Sequence, residues 1–384
     1  MKMAYWDGIL RFHKNVSKGY SSGEEGLRAV RFLKHFFEKL GCAGFSRDHP
    51  LNNRLSVGIE QNYQWLIQYA RKLYTASSLS GFEDIASRLT DHRTFLDANN
   101  EIEVALKFHL AELDVSFVPI DYTHQTPDIL LKINKLEYHV EVSSLNPPDQ
   151  EALMWMFHAQ LTPLTSFKGL ISGGLINRIP NKNKLIEIIE QVKEKTEQIK
   201  ETNESVKLSF PGCATIYIAP RDKMSEIPKG SRGIYRLATS PRRSIEERIQ
   251  RKISGKYDQL FSLDKPVFLF LYTQTIDAKM LHEYFNKVVE NVEVILASYP
   301  ALLGLVLTVP HLRMDVVSSI SSDSLKREIN NNKVFLESEV GKYQYESSLI
   351  WKNLHADQTF PSEILSAMEN LSSNSQKLAQ LPSH

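Results

Sequence analysis

The chain has 384 residues, 42% hydrophobic and 24% charged, with a net charge of +1. That balance is the composition expected of an ordinary soluble protein, and the length favours more than one structural unit. No window approaches the roughly eighteen uncharged apolar residues of a membrane-spanning helix, so no membrane partner is expected. The opening MKMAYWDGILRFHKNV lacks the apolar stretch and cleavage site of a secretory signal, and Cys42 and Cys213 form no C-x-x-C pair. A cytoplasmic location is expected from these features.

Residues 1–92 read as a helical region. GEEGLRAVRFLKHFFEKLG places Leu27, Val30, Leu33, Phe36, Phe37 and Leu40 on one stripe at helical spacing. IEQNYQWLIQYARKLYTA repeats the pattern with Tyr63, Leu66, Ile67, Tyr69, Ala70 and Leu73, and SSLSG ends it. Helix packing, rather than base stacking, is the expected use of these aromatics.

Residues 93–312 read as an α/β core. The helix in DANNEIEVALKFHLAELD has a buried stripe at Ile102, Leu106, Leu110 and Leu113, with Asn99 or Asn100 as its cap. VSFVPI follows as a short strand, and DILLKIN and YHVEVSSL, joined by KLE, read as a hairpin. CATIYIA, VFLFLYT and LGLVLTV have strand length, and the last two are apolar nearly throughout, as strands covered on both faces are. Helices in RRSIEERIQRKISGKYDQLF and AKMLHEYFNKVVENVEVIL alternate with them, so one mixed sheet flanked by helices is expected. A helical insertion around 150–205 contains KNKLIEIIEQVKEKTEQIKE, with Leu185, Ile188, Ile189 and Val192 inward. Residues 313–384 read as a partly mobile C-terminal extension, poor in bulky apolar side chains.

The near-neutral total hides an uneven distribution. Between Lys229 and Lys256 there are nine Lys or Arg against two Glu. Positive charge at that density implies an anionic partner or a solvated helix face. SGKY, inside this stretch, is not a phosphate-binding loop, because the first glycine and the Ser/Thr are missing. The twelve histidines form no H-E-x-x-H or zinc spacing, and no G-x-S-x-G elbow is present.

Two carboxylates stand out. Asp128 heads one strand of the hairpin after Pro127, and Glu141 lies near the end of the other. Glu103 sits on the preceding helix at the edge of its buried stripe, with Glu101 as a second choice. This pattern of Glu103, Pro127-Asp128 and Glu141-Val142-Ser143 resembles the PD-(D/E)XK nuclease superfamily over roughly residues 95–310. The resemblance implies a restriction-endonuclease-like mixed sheet, hydrolysis of nucleic-acid phosphodiesters, and Mg²⁺ or Mn²⁺ held by Asp128, Glu141 and Glu103. Hard oxygen donors suit such a cation, which polarises phosphoryl oxygen and generates hydroxide.

The family pattern has lysine two residues after the Glu; this chain has Ser143. Either the lysine has moved or catalysis is lost and only binding remains. Lys252, Lys256 and Gln259 share a helix face at i, i+4 and i+7, which makes Lys256 the candidate for the displaced charge and Gln259 its neighbour in the site. Arg242, Arg243, Arg248, Arg251 and Lys252 would hold a DNA or RNA backbone without reading its sequence. A homodimer is the simplest arrangement for cutting both strands of a duplex.

Overall fold

The stripe of Val30, Leu33 and Phe37 becomes the enclosed face of helix α2 (Gly23–Lys39) and packs on α4 (Glu60–Ala76), whose Tyr63, Leu66, Ala70 and Leu73 are fully buried. Helices α1 (Ala4–Val16), α3 (Pro50–Leu55) and α5 (Phe82–Arg88) complete this part. The computed structural model describes residues 4–46, 49–119, 126–145, 161, 164–165, 169–178, 180, 182–232, 235–237, 245–256, 265–273, 292–312, 325–330, 332–341, 344–371 and 376–382. The chain divides into two units, residues 1–145 with 245–384, and residues 146–244.

In the first unit, α6 (Phe95–Leu110) leads into strand β1 (Asp114–Phe117) and the hairpin of β2 (Ile129–Ile133) and β3 (Leu136–Ser144). The hairpin turn is Asn134-Lys135, with φ of 51° and 70°, the left-handed pair that a two-residue type I′ turn needs. Leu136 and Glu137, expected in the connection, therefore already belong to β3. Neither expected asparagine caps α6. Thr94 precedes the helix, while Asn100 lies inside it and donates from Nδ2 to Ser144 Oγ at 3.0 Å.

Later strands are β8 (Val267–Tyr272), β9 (Leu302–Leu312), β10 (Leu325–Asn330), β11 (Lys333–Gly341) and β12 (Gln344–Lys352). The eight-stranded sheet runs β1-β2-β3-β8-β9-β12-β11-β10, with β3, β8 and β9 mutually parallel and the remaining pairs antiparallel. Every residue of β8 is buried, which its unbroken apolar sequence requires. One sheet face packs on α6 and the N-terminal helices in a single core, joined by Ile364, Ala367 and Met368 of the C-terminal helix (Ser362–Glu369). The other face is covered by Ile249 and Ile253 of a helix at Ile245–Gly255 and by Val292 and Leu296.

Two expectations about organisation need revision. The helical region at 1–92 shares its core with the sheet, and residues 313–384 supply three strands to that sheet rather than trailing from it. Those strands escaped reading because their buried positions include Ser338, Glu346, Ser347 and Ser348, which break the apolar pattern.

The second unit has its own four-stranded sheet, ordered β5-β6-β4-β7 from β4 (Leu170–Ile176), β5 (Val206–Phe210), β6 (Ala214–Pro220) and β7 (Tyr235–Leu237). Helix α7 (Lys182–Thr202) buries Leu185, Ile188 and Val192 in that unit's core, while Ile189 is partly buried. CATIYIA, expected in the one mixed sheet, is β6 of this second sheet, and β4 lies in a segment not expected to form a strand. The helix at Ile245–Gly255, which returns the chain to the first unit, is α8 and the C-terminal helix is α9.

α6 is bound to the sheet by a charge as well as by apolar packing. The buried Lys107 donates to Tyr272 Oη at 2.6 Å and pairs with the buried Glu346 on β12. A lone buried charge is far costlier than a matched pair. Lys107→Met is expected to destabilise the protein by about 3–5 kcal/mol, while Lys107→Met combined with Glu346→Met recovers most of that loss, as measured by urea unfolding. Equal losses in the single and double variants would show that the pair is not coupled.

Candidate active site

The β2–β3 register pairs Ile129 with Val140, so the next position outward sets Asp128 across from Glu141. Val142 N donates to Asp128 Oδ2 at 2.8 Å, fixing that carboxylate against the neighbouring strand. Strand alternation turns Tyr138, Val140 and Val142 into the core shared with α6 and sends Glu141 to the opposite face. Glu141 is completely buried, at 0% exposure. A carboxylate there cannot rely on water and needs a protein cation or a proton.

The cation comes from just beyond the end of α8. Lys256 Nζ makes an ion pair with Glu141 Oε2 and lies 3.9 Å from Asp128 Oδ2. One ammonium thus faces both carboxylates that the sequence singled out. Lys256 is held by backbone bonds from its own N to the carbonyls of Lys252 and Ile253, both 3.1 Å. Ser143 is buried nearby in sequence but supplies no charge.

Of the two acids on α6, it is Glu101, the second choice, and not Glu103 that lies toward Asp128. Glu103 accepts from Lys72 Nζ with both oxygens at 2.8 Å, which ties α6 to α4. Glu101, 2% exposed, accepts a two-point bond from Arg88 of α5, Nη1 to Oε2 at 2.7 Å and Nη2 to Oε1 at 2.8 Å. It also feels the Asp128 charge. The reason for the exchange is that α6 is buried nearly all round: Val104, Ala105 and Phe108 are enclosed as well as Ile102 and Leu106. A single apolar stripe does not select the acid that turns to the hairpin.

A second polar link joins α6 to the end of β3. Ser144 Oγ donates to Asp97 Oδ1 at 2.6 Å while accepting from Asn100. Asp97 in turn attracts the half-buried Lys252 on α8. Arg248 Nη2 donates to the carbonyl of Leu145 at 2.7 Å, so it fastens α8 to the strand end, while Arg251 is exposed. Arg242, Arg243 and Gln259 lie outside the described residues.

Electrostatics follow from this burial. Glu141 is pushed up to about 8 by burial and then by Asp128, against the pull of Lys256. Glu101 is pushed up to about 8 by the same two causes, opposed by Arg88. Burial lowers the Lys256 ammonium, but Glu141 and Asp128 outweigh it and leave the group above the ordinary lysine range. Burial also draws Lys252 downward, with Asp97 offsetting part of the effect. Lys256 therefore stays charged, and the carboxyls are the groups that titrate.

Asp128 and Glu141 offer hard oxygen donors to a shared position that already accepts a cation, the Lys256 ammonium. That donor chemistry fits Mg²⁺ or Mn²⁺. Arg88, Asp97, Asn100 and Ser144 were not legible as neighbours; only the i, i+4 spacing of Asp97 and Glu101 on one helix hinted at part of the group. No protein-family model matches the chain, and no curated protein sequence matches it.

The acid shifts give a pH dependence with a definite sign. Unfolded, both glutamates ionise near 4.5; folded, they hold protons to about 8. The native state then binds more protons across this window, so stability without metal falls as pH rises from about 4.5 to about 8. Asp128→Asn removes a repulsion common to both and is expected to lower both midpoints, read by carbon-13 carboxyl titration in chelator. Unmoved midpoints would show that Asp128 is not their shared cause.

Proposed function

We propose that the chain is a restriction-endonuclease-like, metal-dependent nuclease that hydrolyses phosphodiesters of DNA or RNA. The observation that carries this reading is the meeting of Lys256 with Asp128 and Glu141, since it returns a lysine charge to a motif in which Ser143 offers none. The order of helix α6, hairpin β2–β3, α8 and the buried parallel strand β8 supports the same assignment.

Asp128 and Glu141 would hold Mg²⁺ or Mn²⁺. A bound ion of this kind would supply phosphoryl polarisation and an acidified water. Lys256 would present positive charge to the phosphate oxygens, where charge builds as the bond to the attacking oxygen forms. Val142 N holds Asp128 in orientation, and Arg88 keeps the Glu101 carboxyl fixed behind the site. Arg251, with Arg242 and Arg243, would contact the nucleic-acid backbone. Arg248 has a structural duty at Leu145 and is the weaker candidate for that contact.

A second reading draws on Ser143 and on the ion pairing of both Glu101 and Glu141 within the protein. It is a nuclease-fold protein that binds nucleic acid without cutting. Incubation of the protein with labelled DNA and RNA, in Mg²⁺, in Mn²⁺ and in chelator, separates the two. Cleavage that chelator abolishes supports the nuclease, and binding without cleavage in either metal transfers the assignment to the second reading.

Lys256→Ala is expected to lower the cleavage rate by about 10²–10³-fold, and Ser143→Ala to change it by less than about twofold. Ser143→Lys placed in the Lys256→Ala background is expected to restore part of the rate. Full activity in Lys256→Ala would remove the residue from the mechanism. Separately, charge reversal at Arg242, Arg243 and Arg251 should weaken binding for all sequences alike and flatten its dependence on salt, because backbone contacts release counterions. A salt slope equal to that of the wild type would assign these residues to a solvated surface.

A further inference from the structure

We infer that Lys256 is the resident cation of the metal-free site and that a divalent ion enters by exchange with it; this rests on the reading of Asp128 and Glu141 as metal ligands. Three observations carry the inference. The Lys256 ammonium pairs with Glu141 Oε2 and lies 3.9 Å from Asp128 Oδ2, so it occupies the position facing both carboxylates. Of the other cations of the group, Arg88 is paired with Glu101, and Lys252 feels Asp97 more strongly than Asp128. Glu141 is fully buried, so its carboxylate is partnered by the ammonium rather than by bulk water.

Two like charges cannot occupy the same short-range position beside one carboxylate pair, because their repulsion is least screened where water is excluded. Departure of the ammonium is also mechanically simple. Lys256 follows the last residue of α8, and its charge sits on a flexible four-carbon stem. The stem can swing while the backbone of residue 256 keeps its bonds to Lys252 and Ile253. The same side chain thus faces Glu141 and Asp128 before loading and is freed as positive charge once the metal replaces it.

The experiment is Mn²⁺ binding to the full chain without nucleic acid, followed by calorimetry or electron paramagnetic resonance. Wild type is compared with Lys256→Met, Lys252→Met and Asp128→Asn. Lys252→Met removes an equal charge from the same helix without emptying the position between the carboxylates. Exchange predicts that Lys256→Met binds Mn²⁺ roughly tenfold or more tightly than wild type. Lys252→Met is expected to change affinity by less than about threefold, and Asp128→Asn to weaken it. An unchanged or weaker affinity in Lys256→Met, or a gain equalled by Lys252→Met, overturns the exchange. In that case, wild-type binding that Asp128→Asn weakens still leaves the metal-ligand reading standing. Absence of Mn²⁺ binding in both wild type and Lys256→Met sinks both ideas. If Lys256→Met does not fold, amine labelling of wild-type Lys256 decides the matter by mass spectrometry. Mn²⁺ should increase that labelling, and an unchanged extent overturns the exchange.

Discussion

A carboxylate at 0% exposure in the middle of a sheet is the constraint on which the rest of this site depends. Glu141 is flanked by Val140 and Val142 on a strand whose other side is core, and β8 pairs alongside it. Water cannot solvate the charge there, and transfer of an isolated carboxylate into such surroundings is strongly unfavourable. The sequence meets this by ending a basic helix at the right place. α8 packs Ile249 and Ile253 against the same sheet face and thereby delivers Lys256 to Glu141. Apolar packing and charge matching are one arrangement, since the apolar contacts fix the helix that carries the charge.

The neighbouring groups follow the same logic at lower cost. Arg88 meets Glu101 with two bonds, Lys72 meets Glu103, and Lys107 meets Glu346. α6 therefore carries acids and a base on several faces and matches each to a different element. This explains how a helix enclosed on most sides tolerates ionisable residues. It also brings α5 to the site, because Arg88 belongs to it.

Much of this was legible in the residues. The hairpin and the two enclosed strands follow from strand alternation and apolar runs, whereas the grouping of Asp128, Glu141 and Lys256 comes from the resemblance, with helix spacing singling out Lys256 for the displaced lysine. What was not legible has physical causes. Apolar alternation marks 214–220 as a strand but carries no information on which sheet it joins. The C-terminal strands bury serines and a glutamate that cross-strand and ion-pair partners satisfy, so composition alone reads them as exposed. Glu103 borders the one inward stripe that a helix buried on a single side would have, whereas α6 is buried on several sides and turns Glu101 inward as well. Arg88 lies in a segment whose own pattern gives no sign of its partner, since the link is made only by tertiary structure.

The interruption of the first unit by residues 146–244 bears on how the protein is made. Glu141 and Lys256 are 115 positions apart in the chain. During synthesis the β2–β3 hairpin leaves the ribosome well before α8 and β8 exist, so the acid is present long before its ammonium partner and its covering strand. Contacts between distant segments form slowly, because the intervening chain must first be brought to closure. Folding of the inserted unit on its own would shorten that effective loop by converting a long flexible segment into a body with fixed ends. The acid–lysine pair therefore cannot form until residue 256 has been synthesised, 115 positions after Glu141.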